Sequence, residues 1–232
     1  MRWRAVLFDA GETLVYPHPS FPDLLSTVLR GEGHDVTPES IRERLPVVVD
    51  LFTKATSAGD LWSTSSDRSR RFWANLYRTL LTELGVPYTD RIGQRLYSVF
   101  TNVSNYRVFP DAIPVLHKLR DAGLALGLIS NFEEWLERLL DAVEVSEFFQ
   151  ARVISGIEGI EKPDPRIFRL ALDRIGVRPE ESVYVGDNVT YDIEPAEALG
   201  MVGVLLDRRD RFPDHEGLRI RSLDELPERL GL

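Results

Sequence analysis

The chain has 232 residues and a formal net charge of -9, with no cysteine. This length can bury a sizeable core, and the acidic balance argues against nucleic acid as a partner, because a phosphate backbone needs a basic face. Without cysteine, and with four histidines that lack ligand spacing, any metal must be held by oxygen. No apolar run reaches the ~18 residues of a membrane span or resembles a signal peptide. We therefore expect a cytoplasmic protein with no membrane partner.

Apolar runs along the chain predict a set of short strands. They are RAVLF (4–8) and, after residue 108, the runs at 124–130, 151–155, 182–186 and 201–206. Helical apolar spacing, ending on or near glycine, is found in the intervening segments 110–123, 132–143, 164–176 and 191–200. Strands that alternate with helices are typical of a parallel sheet covered on both faces. The sequence thus predicts an α/β fold with a Rossmann-like, doubly wound parallel sheet.

The stretch 15–107 lacks strand alternation and reads as several helices. Segment 70–85 is an example, with one continuous apolar face. The first strand is therefore separated from the rest of its sheet by roughly a hundred residues, a gap filled by this helical stretch. We predict a core domain formed by residues 1–14 and 108–232, with a helical cap domain, 15–107, inserted between its two parts.

Polar side chains follow four of the predicted strands. In an open parallel sheet, ligands bind where the strands end and the next helices begin. The residues at these places are Asp9, Ser130 with Asn131, Lys162 with Pro163 at the start of a helix, and the segment GDNVTYD (186–192). Lysine is rare in this chain, with only Lys54, Lys118 and Lys162, so Lys162 is a candidate for chemistry. The set supplies a nucleophile, a short hydroxyl, an ammonium and two further carboxylates.

The ordered motifs DAGET, SN, KP and GDNVTYD resemble the haloacid dehalogenase (HAD) superfamily, in the branch with a helical cap after the first motif. DAGET is most similar to a sub-branch related to rhythmically expressed gene products. The resemblance implies a hydrolase that acts on a small molecule, with a nucleophilic aspartate and Mg²⁺ as cofactor. It assigns catalysis to Asp9 and Lys162, phosphoryl binding to Ser130, Asn131 and Lys162, metal binding to Asp9, Asp187 and the Gly11 carbonyl, and support to Asp192, Asn188 and Thr13.

These roles also make chemical sense without the resemblance. A carboxylate is already ionised at pH 7, so Asp9 could attack without a base. Phosphoryl transfer depends on positioning and on neutralising charge, which a compact ammonium and a divalent cation would supply. A site made only of oxygen ligands suits Mg²⁺.

Gly11 occupies the position where the resembled phosphatases carry a second aspartate. That aspartate protonates the leaving oxygen and then activates water, and glycine can do neither. General acid–base help of this kind is typically worth ~10²–10⁴ in rate, so its loss should slow the enzyme without abolishing it. Glu12, one residue further along, is a candidate for the same catalytic role.

Three classes of function stay open. The first is a Mg²⁺-dependent phosphatase that acts on a small phosphate ester. The second is a 2-haloacid dehalogenase-type hydrolase, whose halide leaves without a proton, although that branch works without metal and usually lacks the carboxylate found here as Asp187. A phosphonate-cleaving enzyme would need a Schiff-base lysine in the cap, where Lys54 is the only lysine. The third class is a catalytically weak phosphate- or metal-binding module, which would have no need for a nucleophile.

Overall fold

The structure, a computed structural model, describes residues 3–232 except for the side chains of residues 56 and 57; residues 1 and 2 of the predicted core segment lie outside the described part. The strands are β1 (Ala5–Phe8), β2 (Val15–Pro17), β3 (Tyr106–Val108), β4 (Ala125–Ser130), β5 (Ala151–Ile154), β6 (Ser182–Gly186), β7 (Val202–Leu206) and β8 (Leu218–Ile220). The helices are α1 (Phe21–Gly31), α2 (Pro38–Ala58), α3 (Ser66–Glu83), α4 (Asp90–Phe100), α5 (Ala112–Asp121), α6 (Leu136–Ala142), α7 (Ser155–Glu158), α8 (Pro165–Ile175), α9 (Glu194–Ala198) and α10 (Leu226–Leu230).

Six strands form one parallel sheet in the order β5-β4-β1-β6-β7-β8. Every residue of β1, from Ala5 to Phe8, is fully buried, as expected for a central strand covered on both faces. The order reverses beside β1, so the ends of β1, β4 and β6 lie at the point where such sheets bind ligands. The predicted α/β fold with a doubly wound parallel sheet is confirmed.

Some short elements differ from the sequence prediction. Strand β8 was not predicted because it has three residues at the sheet edge and carries Arg219 at its centre. The three-residue strands β2 and β3 form a separate two-stranded sheet and are too short to show alternation. Lys162 does not open a helix after β5: α7 follows β5 directly, and Lys162 lies in the loop before α8.

Two predicted helices are shorter than the apolar spacing suggested. In segment 132–143 only Leu136–Ala142 is an α-helix, and in segment 191–200 only Glu194–Ala198 is. The second of these is preceded by a π-helical turn, Val189–Ile193. That turn returns the chain toward the end of β6, and it belongs to the motif that carries the predicted metal ligands.

Close packing between β4 and its neighbours requires a glycine. A Cβ built on Gly127 would lie 2.7 Å from the Ile175 side chain and 3.0 Å from that of Leu7. Both contacts are closer than packed carbon atoms allow, so a larger residue here would push α8 or β1 away from β4.

The chain divides into two compact units: a core unit of Met1–Tyr16 with Val108–Leu232, and a helical unit of Pro17–Arg107. The helical unit contains α1 to α4 and has an apolar core of its own, which includes Leu25, Leu76 and Leu80. Its helices begin at side-chain caps; for example, Ser65 accepts a hydrogen bond from the backbone N–H of Arg68. Within residues 3–232, no helix is both long and apolar enough to cross a bilayer.

Asp111 joins three parts of the core unit at the start of α5. Its carboxylate accepts hydrogen bonds from the Arg208 guanidinium at 2.7 and 2.9 Å, from the Ser222 hydroxyl at 2.8 Å and from the Leu223 N–H at 2.9 Å. Burial alone raises the pKa of this carboxyl, but the bonds from Arg208, Leu223 and Ser222 outweigh burial and hold it below its ordinary 3.8. The loop after β7 and the C-terminal segment are thereby tied to α5.

We predict that Asp111→Asn lowers the free energy of unfolding at pH 7 by about 1–3 kcal/mol, because it removes a charged acceptor from Arg208. Because the pKa of Asp111 is lower in the folded than in the unfolded protein, its carboxylate stabilises the fold fully at pH values above the unfolded-state pKa. This stabilisation is lost as the pH falls through the folded-state pKa. Urea unfolding of the wild type and of Asp111→Asn at pH 7 and pH 3 should therefore show a difference in the free energy of unfolding that is smaller at pH 3. Glu180→Gln, which breaks an exposed pair with Arg178, should change little at either pH. An equal gap at both pH values would contradict this account.

Candidate active site

Asp9 lies directly beyond the end of β1. Its N–H donates to the carbonyl of Val185 at 2.9 Å, which extends the pairing between β1 and β6 by one residue. Its carboxylate is 7% exposed and accepts hydrogen bonds from Lys162 Nζ at 2.8 Å and from Ser130 Oγ at 3.3 Å. The structure thus brings together three of the sequence-predicted site residues, from the ends of β1 and β4 and from the loop before α8.

The Lys162 ammonium is buried among three oxygens. It donates to Asp9 Oδ1 at 2.8 Å, to Asp192 Oδ1 at 2.6 Å and to the Tyr184 hydroxyl at 3.1 Å, so each of its three protons has an acceptor. Burial alone lowers the pKa of Lys162, but the nearby carboxylates of Asp192 and Asp9 raise it well above the ordinary value. The side chain is therefore a fixed positive charge.

Asn131 holds the backbone of Lys162. Its amide nitrogen donates to the carbonyl of Lys162 at 2.8 Å, and its amide oxygen accepts from the N–H of Lys162 at 2.7 Å. Both polar atoms of this predicted substrate-binding side chain are thus used to position the loop that carries the ammonium.

Asp187, Asp192 and Asp9 form one acidic cluster. One carboxylate oxygen from each lies within 4.8 Å of the other two. Burial, followed by the charges of Asp192 and Asp9, raises the pKa of Asp187 to about 7, although Arg211 acts in the opposite direction. The pKa of Asp192 is also raised, chiefly by burial. The three carboxylates outnumber the two cationic groups that pair with them, the Lys162 ammonium and the partly exposed Arg211 guanidinium. An all-oxygen cluster with excess negative charge fits a hard divalent cation such as Mg²⁺.

The turn after β6 places Asp192 beneath the site. Its Oδ2 accepts from the N–H of Asn188 at 3.0 Å, and the Asn188 side chain in turn accepts from the N–H of Tyr191. A Cβ on Gly186 would lie 2.4 Å from the Asp192 carboxylate. Glycine at the end of β6 is therefore needed for this carboxylate to reach Lys162.

The loop after Asp9 contains Glu12, which is paired with Arg209. Glu12 has a left-handed backbone, with φ 58°, and its carboxylate accepts from Arg209 Nη2 at 2.7 Å. Thr13 is fully buried, and its carbonyl accepts from Arg208 at 3.0 Å. At Gly11 the backbone is not left-handed, and no atom beyond the adjacent residues lies within 4 Å of the place that a Cβ would occupy. A side chain at position 11 therefore has room.

Sequence reasoning missed two residues that complete the site. Tyr184 points from β6 to Lys162, and its hydroxyl donates to the Ile129 carbonyl at 3.1 Å. Arg211, in the loop after β7, donates to Asp187 Oδ2 at 2.8 Å. The arginine-rich segment DRRDRF follows β7. The rule that ligands bind where parallel strands end also applies to this segment, so it is the signal in the sequence that points to Arg211.

Comparison with known proteins identifies the family of the chain. The family model described as haloacid dehalogenase-like hydrolase matches residues 3–200. A glyceraldehyde 3-phosphate phosphatase from Methanopyrus kandleri is 33% identical, over 97% of this chain and 91% of the relative. The (S)-2-haloacid dehalogenase 4A of Burkholderia cepacia is 34% identical, over 96% of this chain and 93% of the relative. The solved structure of the putative HAD-hydrolase YfnB from Bacillus subtilis has a similar fold, with a TM-score of 0.80 over the full length of both chains at 19% identity. The chain belongs to the haloacid dehalogenase-like hydrolases and is a hydrolase.

Proposed function

We propose that the protein is a Mg²⁺-dependent phosphatase that acts on a small phosphate ester through a covalent Asp9 intermediate. The observation that carries the proposal is the cluster of Asp9, Asp187 and Asp192, of which Asp9 and Asp192 pair with Lys162. A dehalogenase that works without metal would keep Asp187 as a third carboxylate beside Asp9 and Asp192, offset only by the partly exposed guanidinium of Arg211. The phosphatase relative from Methanopyrus kandleri supports the same choice.

In the proposed reaction, an oxygen of Asp9 bonds to phosphorus, and the bond from phosphorus to the alcohol oxygen breaks, with its electron pair leaving on that oxygen. A water oxygen then bonds to phosphorus, loses a proton and releases Asp9 as a carboxylate. We propose that Ser130 and Lys162, which donate to Asp9 in this structure, turn these protons to the phosphoryl oxygens when the substrate binds. Asp192 and Tyr184 keep the ammonium in place during these steps.

We assign the cation to Asp9, Asp187 and the Gly11 carbonyl, with Asp192 in support. When bound, Mg²⁺ would neutralise phosphoryl charge and the repulsion among the carboxylates. Asn131 and Asn188 act through other residues in this proposal, since the first holds the backbone of Lys162 and the second holds Asp192.

A dehalogenase is the second candidate, and the absence of an acid at position 11 favours it. A halide leaves without a proton, and Glu12, the other carboxylate of the loop, is paired with Arg209. The relative from Burkholderia cepacia is named as a 2-haloacid dehalogenase. The phosphonate-cleaving alternative has less support, because Lys54 is 70% exposed and paired with Asp50 at 2.6 Å, whereas a Schiff-base lysine needs desolvation or a cationic neighbour.

We predict that Asp9→Asn loses at least ~10⁴-fold in hydrolytic rate, because the amide cannot attack, while the melting temperature stays close to that of the wild type. Steady-state assays with aryl phosphates and 2-haloacids, each with and without Mg²⁺, measure this loss and identify the reaction. Asp173→Asn, on an exposed position of α8, is the control. Turnover by Asp9→Asn at the wild-type rate would exclude a nucleophilic Asp9.

A single turnover in ¹⁸O-labelled water separates the two candidates. Water that attacks phosphorus leaves its label in the released phosphate. Water that opens a carboxylate ester formed from a haloacid attacks the carboxyl carbon and leaves its label in Asp9, which mass spectrometry of the digested protein detects. Label in Asp9 after turnover of a haloacid, with no turnover of phosphate esters, would replace the phosphatase proposal.

We predict that Mg²⁺ raises the melting temperature, because a cation that binds only the folded cluster stabilises it by about 2.7 kcal/mol at 100 times its Kd. The shift should disappear in Asp187→Asn and persist in Asp173→Asn, with ionic strength held constant. Differential scanning fluorimetry in EDTA and in millimolar Mg²⁺ provides the measurement. Identical wild-type melting in the two buffers would favour the metal-free dehalogenase.

We predict a steep dependence of rate on the leaving group, because Gly11 has no side chain to protonate the departing oxygen and the Glu12 carboxylate is paired with Arg209. Aryl phosphates should react faster than alkyl phosphates. The difference in kcat/KM should include the ~10²–10⁴-fold rate increase that a general acid normally supplies. Gly11→Asp should narrow this gap, and the room at Gly11 allows the new side chain. The measurement is kcat/KM across a series of leaving groups.

Two variants serve as controls for this series. Gly11→Asn fills the same space but has no carboxyl proton, so it should leave the gap unchanged. If the wild type treats aryl and alkyl phosphates alike, and Glu12→Gln loses only alkyl activity, then Glu12 is the acid and the prediction is wrong.

A further inference from the structure

We propose that Arg211 is a positioning residue that orients Asp187 as a metal ligand. The proposal rests on the metal-dependent function proposed above. It concerns a loop outside the four motifs of the sequence analysis, namely the arginine-rich loop, defined here as residues 207–212 between β7 and β8.

One nitrogen of Arg211 fixes both the side chain and the backbone of Asp187. Arg211 Nη2 donates to Asp187 Oδ2 at 2.8 Å and to the Asp187 carbonyl at 3.1 Å. Asp187 follows β6 directly, and its side chain is 20% exposed. A carboxylate anchored through one oxygen keeps its other oxygen available in a defined direction, which is how a hydrogen-bonded neighbour orients a metal ligand.

The backbone of Arg211 is held by the buried carboxylate of Asp207. Asp207, which is fully buried, accepts from the N–H of Arg211 at 2.8 Å, from the N–H of Phe212 at 2.8 Å and from Arg219 Nε at 3.0 Å. The backbone of Arg211 is therefore fixed by groups that do not depend on its side chain. Replacing that side chain should leave the path of the arginine-rich loop intact.

An alternative role for Arg211 is that of a counter-ion that competes with the cation for Asp187. The two roles predict opposite effects. If the guanidinium competes, its removal strengthens cation binding, because a positive charge leaves the site. The structure favours positioning for two reasons. The Arg211 side chain is 44% exposed, so solvent screens its charge. Its bonds to Asp187, in contrast, are made from a residue whose backbone Asp207 holds in place.

The test is the affinity for Mg²⁺ alone, measured by isothermal titration calorimetry without substrate. We compare the wild type with Arg211→Ala, Arg211→Lys and Arg221→Ala. Arg221 is the matched control, because it is a 62%-exposed arginine of the same unit that pairs with Asp210, and its loss changes the net charge equally. Lysine can replace part of the function, since a single nitrogen of Arg211 makes both bonds to Asp187.

We expect Arg211→Ala to bind Mg²⁺ about 10–100-fold more weakly than the wild type, Arg211→Lys to lie between them, and Arg221→Ala to bind like the wild type. Unchanged or tighter binding by Arg211→Ala would overturn the proposal, and so would a lysine variant no better than alanine. If the wild type itself fails to bind Mg²⁺, the metal-dependent function falls together with this inference. Failure of the Arg211 comparison alone leaves that function standing.

Discussion

The buried ammonium of Lys162 is the interaction on which the site depends. It pairs with two carboxylates, Asp9 and Asp192, that burial would otherwise make costly to keep ionised side by side. Three other residues support this contact. Asn131 holds the backbone of Lys162, and the Tyr184 hydroxyl accepts the third hydrogen bond of its ammonium. Gly186 has no side chain, which leaves room for the Asp192 carboxylate. Removing the lysine would leave unpaired buried charges at the ends of β1 and β6, so the fold and the proposed chemistry are built on the same ion pairs.

The ammonium does not balance the charge of the whole cluster. Asp187 brings a third carboxylate, and its pKa is raised to about 7 because burial and the two other aspartates disfavour its ionised form. A protein gains nothing in stability from this arrangement, since replacing such groups by apolar ones is often neutral or stabilising. The proposed function accounts for the excess negative charge by a cation that binds there and offsets both the carboxylates and an anionic substrate.

The sequence predicted the parts that follow from local pattern. The long, continuous apolar runs of β4, β6 and β7 identified the parallel sheet, and the rule that ligands bind at strand ends selected Asp9, Ser130 and Asp187, whose side chains the structure places near one another. Their catalytic roles stay predictions. Strand β8 is not predicted from the sequence, because three residues at the edge of a sheet are too few to show an alternating apolar pattern. The contacts of Arg211 and Tyr184 join residues distant in sequence or buried in a strand, and no local pattern encodes such partners.

The structure shows that the backbone at Gly11 does not require a glycine. A glycine is required where the backbone is left-handed or where another group approaches closely, and neither condition holds at this position. The left-handed residue of the loop is Glu12, whose conformation carries its carboxylate to Arg209. The missing side chain at position 11 therefore has no backbone explanation. Under the proposed function its effect is chemical, because glycine supplies no proton donor beside Asp9 and the Glu12 carboxylate is paired with Arg209. The proposal therefore expects substrates whose leaving groups depart without a proton, and the third carboxylate favours a phosphate ester among them.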